Sequence, residues 1–134
     1  MEATYAVDEN RLTDFMGQIT NDLGGAYSVA MVKLGDELGL YRALRDDGPA
    51  TAAELAARTD CDQRYLEEWL AHQAASNYLS YESDSGRFRL PPEQALVFAE
   101  EDSPVYMIGG FENAISTIEN QPGVAAAFRT GGGV

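Results

Sequence analysis

The sequence predicts a mostly α-helical chain with one small β-hairpin, arranged as a winged helix-turn-helix with extra helices at both ends, and three local patterns carry that prediction. Thr51-Ala-Ala-Glu54 has the spacing of a capping box. The threonine hydroxyl can accept from the amide three residues on while the glutamate reaches back, so a helix starts there. Asp62 is a good N-cap for a second helix over residues 63–77, in which Leu66, Trp69, Leu70, Gln73 and Ala74 form one stripe of a 3.6-residue period, apolar except at Gln73. Residues 78–82 and 87–90 then read as two aromatic-rich strands joined by the turn Ser83-Asp84-Ser85-Gly86.

Around that centre the other elements follow in order. Residues before Asp8 carry no pattern and are expected to be frayed. Asp8 or Asn10 caps a first helix whose Leu12, Phe15, Met16, Ile19 and Leu23 lie on one face, and Gly24-Gly25 is expected to end or kink it. Residues 26–38 predict a separate helix that is apolar over most of its circumference. It is expected to be covered on nearly all sides, in part by a second subunit or another domain. A short helix over residues 39–44 docks Leu40, Tyr41 and Leu44, and Asp46-Asp47-Gly48-Pro49 breaks it.

After the hairpin, Pro91-Pro92-Glu93 starts another short helix anchored by Leu96, Val97 and Phe98. Glu100-Glu101-Asp102 is a solvated connector. Ser103-Pro104 reads as an N-cap and first position of a last long helix, with Val105, Ile108, Phe111, Ile115 and Ile118 as its stripe and Pro122-Gly123 as its end. Residues 124–128 add one more turn, and residues 129–134 are too glycine-rich to be regular.

Composition limits what such a chain can do. At 134 residues and 45% hydrophobic content it has one modest core. Nine Lys and Arg against 22 Asp and Glu give a net charge of −13, which repels a polyanionic duplex. Nor is there a local exception: the outward face of the second helix, with Arg64, Glu67, Glu68 and His72, sums to about −1, and Glu82 and Asp84 cancel Arg87 and Arg89 on the hairpin. The charge therefore argues against nucleic acid as a partner.

Cys61 is the sole cysteine, so no internal disulfide forms. The first residues lack the pattern of a signal peptide, and no apolar run spans a bilayer, so the cytoplasm is the expected compartment. His72, the one histidine, reads as a solvated surface residue, and Cys61 as structural. Lys33, the one lysine, reads as a snorkelling stem or an ion pair with Asp36 or Glu37. One Cys and one His are too few for a metal site, so no residue is assigned to metal binding.

The run Leu34-Gly-Asp-Glu-Leu-Gly-Leu-Tyr-Arg-Ala-Leu44, then Thr51-Ala-Ala-Glu-Leu-Ala56, then Arg64-Tyr-Leu-Glu-Glu-Trp-Leu70, with Tyr78-Leu79, Gly86-Arg-Phe88 and Leu90-Pro91-Pro92-Glu93, carries a resemblance over nearly the whole chain. It resembles the N-terminal winged-helix domain of bacterial class I S-adenosylmethionine (SAM)-dependent methyltransferases. The order of elements is also similar to the dimerisation domain of plant small-molecule O-methyltransferases. The resemblance implies a homodimer held through the N-terminal helices, a wall over the methyl-acceptor site, and a C-terminal catalytic domain that holds SAM.

Gly131-Gly132-Gly133 departs from the cofactor loop of that family, having no apolar strand before it and no helix after it, and reads as linker. The chain is thus expected to be a fragment or isolated domain that binds no cofactor and catalyses nothing alone. Residues 1–46 are the expected dimerisation segment, 47–99 the winged-helix core, and 100–134 a helix and linker towards the catalytic domain. Phe15, Met16, Tyr27 and Met31 are the candidates to line the acceptor pocket, being flexible or aromatic. Ordinary core packing explains the same four residues. The alternative function is a free-standing winged-helix transcriptional regulator or ligand-binding protein.

Overall fold

In the computed structural model, which describes residues 6–134, the order is α1 (Glu9–Glu37), α2 (Leu40–Asp47), α3 (Ala52–Thr59), α4 (Gln63–Ala75), β1 (Ser80–Glu82), β2 (Arg87–Arg89), α5 (Pro92–Phe98), α6 (Ile108–Glu119) and α7 (Gln121–Thr130). The expected fraying before Asp8 falls largely on residues 1–5, outside the described residues; residues 6–8 are non-helical. Asp8 is the cap of α1, its carboxylate accepting from the amides of Asn10 and Arg11 at 3.0 and 3.1 Å.

Helix α1 runs unbroken through Gly24-Gly25, which corrects the expectation of two helices. Amphipathic sequence on both sides propagates the helix, and a glycine costs only about 1 kcal/mol against alanine. Its second half is not covered on nearly all sides by this chain either. Only Val32 and Gly35 are buried there, whereas Tyr27 is 72% exposed.

The winged helix forms as the local signals predict. Thr51 and Glu54 make the reciprocal capping box of α3, at 3.2 and 2.9 Å. Asp62 caps α4, and Leu66, Trp69, Leu70 and Gln73 of α4 are buried. In the wing, β1 and β2 pair antiparallel with Tyr81 opposite Phe88. Ala50 adds a bridge to Phe88 through two backbone hydrogen bonds of 3.0 and 2.8 Å, which ties the segment before α3 to β2 and places β2 between Ala50 and β1.

The core lies where α1, α2, α4 and α5 meet. Tyr41 packs edge-on to Trp69 with ring centroids 5.2 Å apart and stacks on Phe98 at 4.8 Å. Gly35 lets α1 approach these rings, since a β-carbon there would lie 2.5 Å from Trp69 and 2.7 Å from Tyr41. Trp69 Nε1 donates to the Met31 carbonyl at 2.9 Å, fixing α4 against α1.

Four details at the C-terminal end differ from expectation. Leu96 is 46% exposed and does not anchor α5, whose buried residues are Ala95 and Phe98. Ser103-Pro104 forms a turn, not the start of α6. The Ser103 hydroxyl accepts from the Val105 amide at 3.2 Å, and the Met107 amide donates to the Val97 carbonyl at 3.0 Å, so the chain stays docked on α5 until Ile108. Pro122 does not end the helical run but sits in the first turn of α7, where its missing N–H is no loss. Helix α7 includes Arg129 and Thr130, and only residues 131–134 are irregular.

Candidate functional site

Helix α1 presents two apolar faces. Met31, Val32 and Gly35 point into the core with Ser28 at its margin. On the opposite side, within an arc of roughly 120° at 100° per residue, lie Leu12, Phe15, Met16, Ile19, Leu23, Ala26, Tyr27, Ala30 and Leu34. This stripe is open: Leu12, Phe15, Leu23 and Leu34 are 48%, 55%, 57% and 41% exposed. It extends over most of a helix about 43 Å long. The sequence signal was present, but only to a reading that carried the Leu12–Leu23 periodicity through the two glycines instead of stopping at them.

Of the four acceptor-pocket candidates, Phe15, Met16 and Tyr27 stand on the open side at 55%, 55% and 72% exposure, while Met31 packs against the core. They do not converge on a cavity within this chain, since Phe15 and Met31 are about 24 Å apart along the helix axis. Next to the stripe, Val29 of α1 and Met107, Gly110, Phe111 and Ala114 line a shallow apolar pit of about 230 Å³ where α6 crosses α1. Lys33 joins the same two helices through Glu37 at 3.0 Å and Glu112 at 3.3 Å. Asp36, its other expected partner, is taken by Arg42 at 3.0 Å.

The wing shows what its arginines do instead of meeting phosphate. Arg87 forms a bidentate pair with Glu54 at 2.6 and 3.1 Å, and Arg89 pairs with Glu82 at 2.6 Å. The partner of Arg87 is thus Glu54 on α3, not Asp84. The Arg87 guanidinium, helped by the Thr51 amide, holds the Glu54 carboxyl below its ordinary range, and Arg89 does the same for Glu82. Arg58 donates to the Gly48 and Pro49 carbonyls at 2.6 and 3.2 Å. On α4 the outward face exposes Glu67 and Glu68 beside Arg64. A duplex would meet carboxylates here, with Arg58, Arg87 and Arg89 already engaged.

His72 is half-buried against α1, not solvated as expected. Its Nδ1 lies 3.2 Å from Gln73 Nε2 and its Nε2 3.5 Å from the Ser28 hydroxyl. Gln73 accepts from the buried Tyr41 hydroxyl through Oε1, so its amide nitrogen must donate to the imidazole. Nε2 therefore serves the α1–α4 contact, while Nδ1 is held by Gln73 of the same helix. Cys61 is half-buried and its thiol faces the Thr59 carbonyl at 3.5 Å. The cleft between α2, the wing and α5, about 490 Å³, has an apolar floor of Leu90, Pro92 and Ala95. Its Arg45 is already bound to Asp46 at 2.7 Å and its Arg89 to Glu82. Among the described residues no cluster of His, Cys, Asp and Glu is placed to hold a metal ion, and no helix is long and apolar enough to cross a membrane.

The model of the Rv2258c-like winged helix-turn-helix domain matches residues 26–100, the stretch from the second half of α1 to the end of α5. The chain belongs to this family. No curated protein matches it. Among solved structures, this Rv2258c-like domain is similar to mitomycin 7-O-methyltransferase MmcR, with a TM-score of 0.74 and 22% identity over 92% of this chain and 36% of that one. Human N-acetylserotonin methyltransferase in complex with SAM matches with a TM-score of 0.65 and 21% identity over 98% of this chain and 37% of that one. CalO1, a methyltransferase in calicheamicin biosynthesis in its SAH-bound form, is 30% identical over 79% of this chain and 29% of its own, with a TM-score of 0.57. The Rv2258c-like domain thus has the fold of the N-terminal domain of SAM-dependent O-methyltransferases and spans about a third of the length of these structures.

Proposed function

We propose that this domain is the dimerising N-terminal part of a SAM-dependent methyltransferase acting on a small molecule, and that it covers the acceptor site without catalysing the transfer itself. In this reading residues 1–46 hold the dimer, residues 47–99 are the winged-helix core, and residues 100–134 lead to a catalytic domain that carries the cofactor. Phe15, Met16, Tyr27 and Met31 then line the acceptor side, and the protein works in the cytoplasm. The observation that carries the proposal is the second apolar face of α1: bulky side chains from Leu12 to Leu34 lie open on the side away from the core. A patch of that size and continuity belongs against another polypeptide. CalO1, solved with SAH bound, and human N-acetylserotonin methyltransferase, solved with SAM, support the cofactor of the whole protein.

Sedimentation equilibrium tests it. The chain is expected to be a homodimer at about 10 μM, an ordinary affinity for such an interface. Leu23→Glu, which places a charge on an exposed stripe position and leaves the core intact, is expected to give a helical monomer. A chain that stays monomeric at about 100 μM and binds random duplex DNA tightly at low salt would overturn the proposal in favour of a regulator.

A further inference from the structure

We propose that the cleft between α2, the wing and α5 is a binding site in its own right, for a small carboxylic acid with an apolar body, anchored by Arg89. The cleft shares no residue with Phe15, Met16, Tyr27 and Met31, so the inference stands apart from the methyltransferase reading. Its volume of about 490 Å³ falls within the range of small-ligand sites, roughly 300–1,000 Å³. Leu44, Leu90, Pro92 and Ala95 make its surface apolar. Leu96, also part of the lining, is left 46% exposed by its own chain. An apolar surface of this extent takes the body of a small molecule, and the few polar groups around it fix the ligand's orientation and charge.

The two arginines of the cleft differ in what they have left to give. A guanidinium carries five N–H donors in a fixed fork. In Arg45, Nε and Nη2 donate to the two oxygens of Asp46 and Nη1 to the Ala99 carbonyl, with Glu100 a further 3.7 Å from Nη1. Two carboxylates thus surround that cation, and its end of the cleft turns an anion away. Arg89 spends only Nε and Nη2, both on one oxygen of Glu82 at 3.0 and 2.6 Å. Three of its N–H groups, two of them on Nη1, have no partner among the described residues, and the side chain is 54% exposed. A carboxylate on Nη1 forms a charge-assisted hydrogen bond there while its apolar body lies over Leu90 and Ala95. A neutral molecule of the same shape gains only the apolar contact.

Methyl NMR titrations with benzoate, benzamide, benzylamine and acetate test the site. Benzoate is expected to shift the methyls of Leu44, Leu90, Ala95 and Leu96, to leave those of Leu23 on α1 unmoved, and to bind with a dissociation constant of about 1 mM. It should bind about tenfold more tightly than benzamide, which lacks the charge, and about tenfold more tightly than acetate, which lacks the body. Arg89→Gln is expected to abolish the preference for benzoate over benzamide. Glu82→Gln, which releases Arg89 from its pair, is expected to tighten benzoate about threefold and leave benzamide as it was. In both variants the Ala50 methyl, next to the bridge to Phe88, reports that the wing is still in place. Equal binding of benzoate and benzamide overturns the charged anchor, and equal binding of acetate overturns the apolar body. Tighter binding of benzylamine reverses the ligand class. A preference for benzoate that survives Arg89→Gln, or benzoate binding that weakens in Glu82→Gln, overturns the assignment to Arg89. No shift of the cleft methyls at about 20 mM benzoate removes the site.

Discussion

Gln73 breaks the apolar stripe of α4 and is nevertheless completely buried. Its oxygen satisfies the Tyr41 hydroxyl, and burial pushes that phenol far above its ordinary pKa, so it remains a neutral donor. Replacing Gln73 with Ala strands the hydroxyl and opens a cavity, and should cost about 2–4 kcal/mol by urea unfolding. Gln73→Leu combined with Tyr41→Phe removes both partners and should cost much less than the separate losses predict, which a double-mutant cycle reads directly. Two glycines of α1 should respond in opposite directions. Gly35→Ala drives a methyl into Trp69 and Tyr41 and should destabilise by about 1–3 kcal/mol. At Gly17, where an added β-carbon meets nothing within 4 Å, Ala should stabilise by about 0.5–1 kcal/mol.

At the scale of the element, the wing depends on two carboxylates. Glu54 and Glu82 have pKa values lowered by their arginines, so their contribution is complete above the unfolded-state pKa. It is lost as pH falls through the depressed folded values, which places the loss below about pH 4.3. Amide exchange of Phe88 and Arg89 is expected to rise in that acid range before α4 loses protection. Which elements were legible in the sequence follows from how local their causes are. The capping box, the Asp62 cap, the α4 stripe and the wing each lie within a few consecutive residues. The Ala50 bridge to Phe88 spans the whole winged helix and left no local mark. Gly24-Gly25 and Pro122 misled for another reason: their penalties are real but smaller than the periodic packing on either side, and a proline in a first turn loses nothing. His72 was misplaced because it was assigned from the outward face of its own helix alone, and the approach of Ser28 from α1, 44 residues away in the chain, leaves no local mark.

At the scale of the molecule, the net charge of −13 and the open face of α1 act against each other. Two copies repel at long range while the stripe attracts on contact. Raising NaCl from about 20 to about 300 mM screens the repulsion, so the dimer dissociation constant in sedimentation is expected to fall. A complex held with DNA would weaken under the same change. The fold class was readable from sequence, but the direction faced by each apolar stripe was not. That depends on Trp69 and Tyr41 claiming one side of α1 and thereby leaving the other.

Glu54 serves two structures at once, the start of α3 and the seat of the wing. Glutamine at this position keeps an oxygen for the Thr51 amide but surrenders the charge that clasps Arg87. A one-atom change therefore separates helix nucleation from wing docking, and it would show whether the loosened hairpin drifts as a unit or unravels strand by strand.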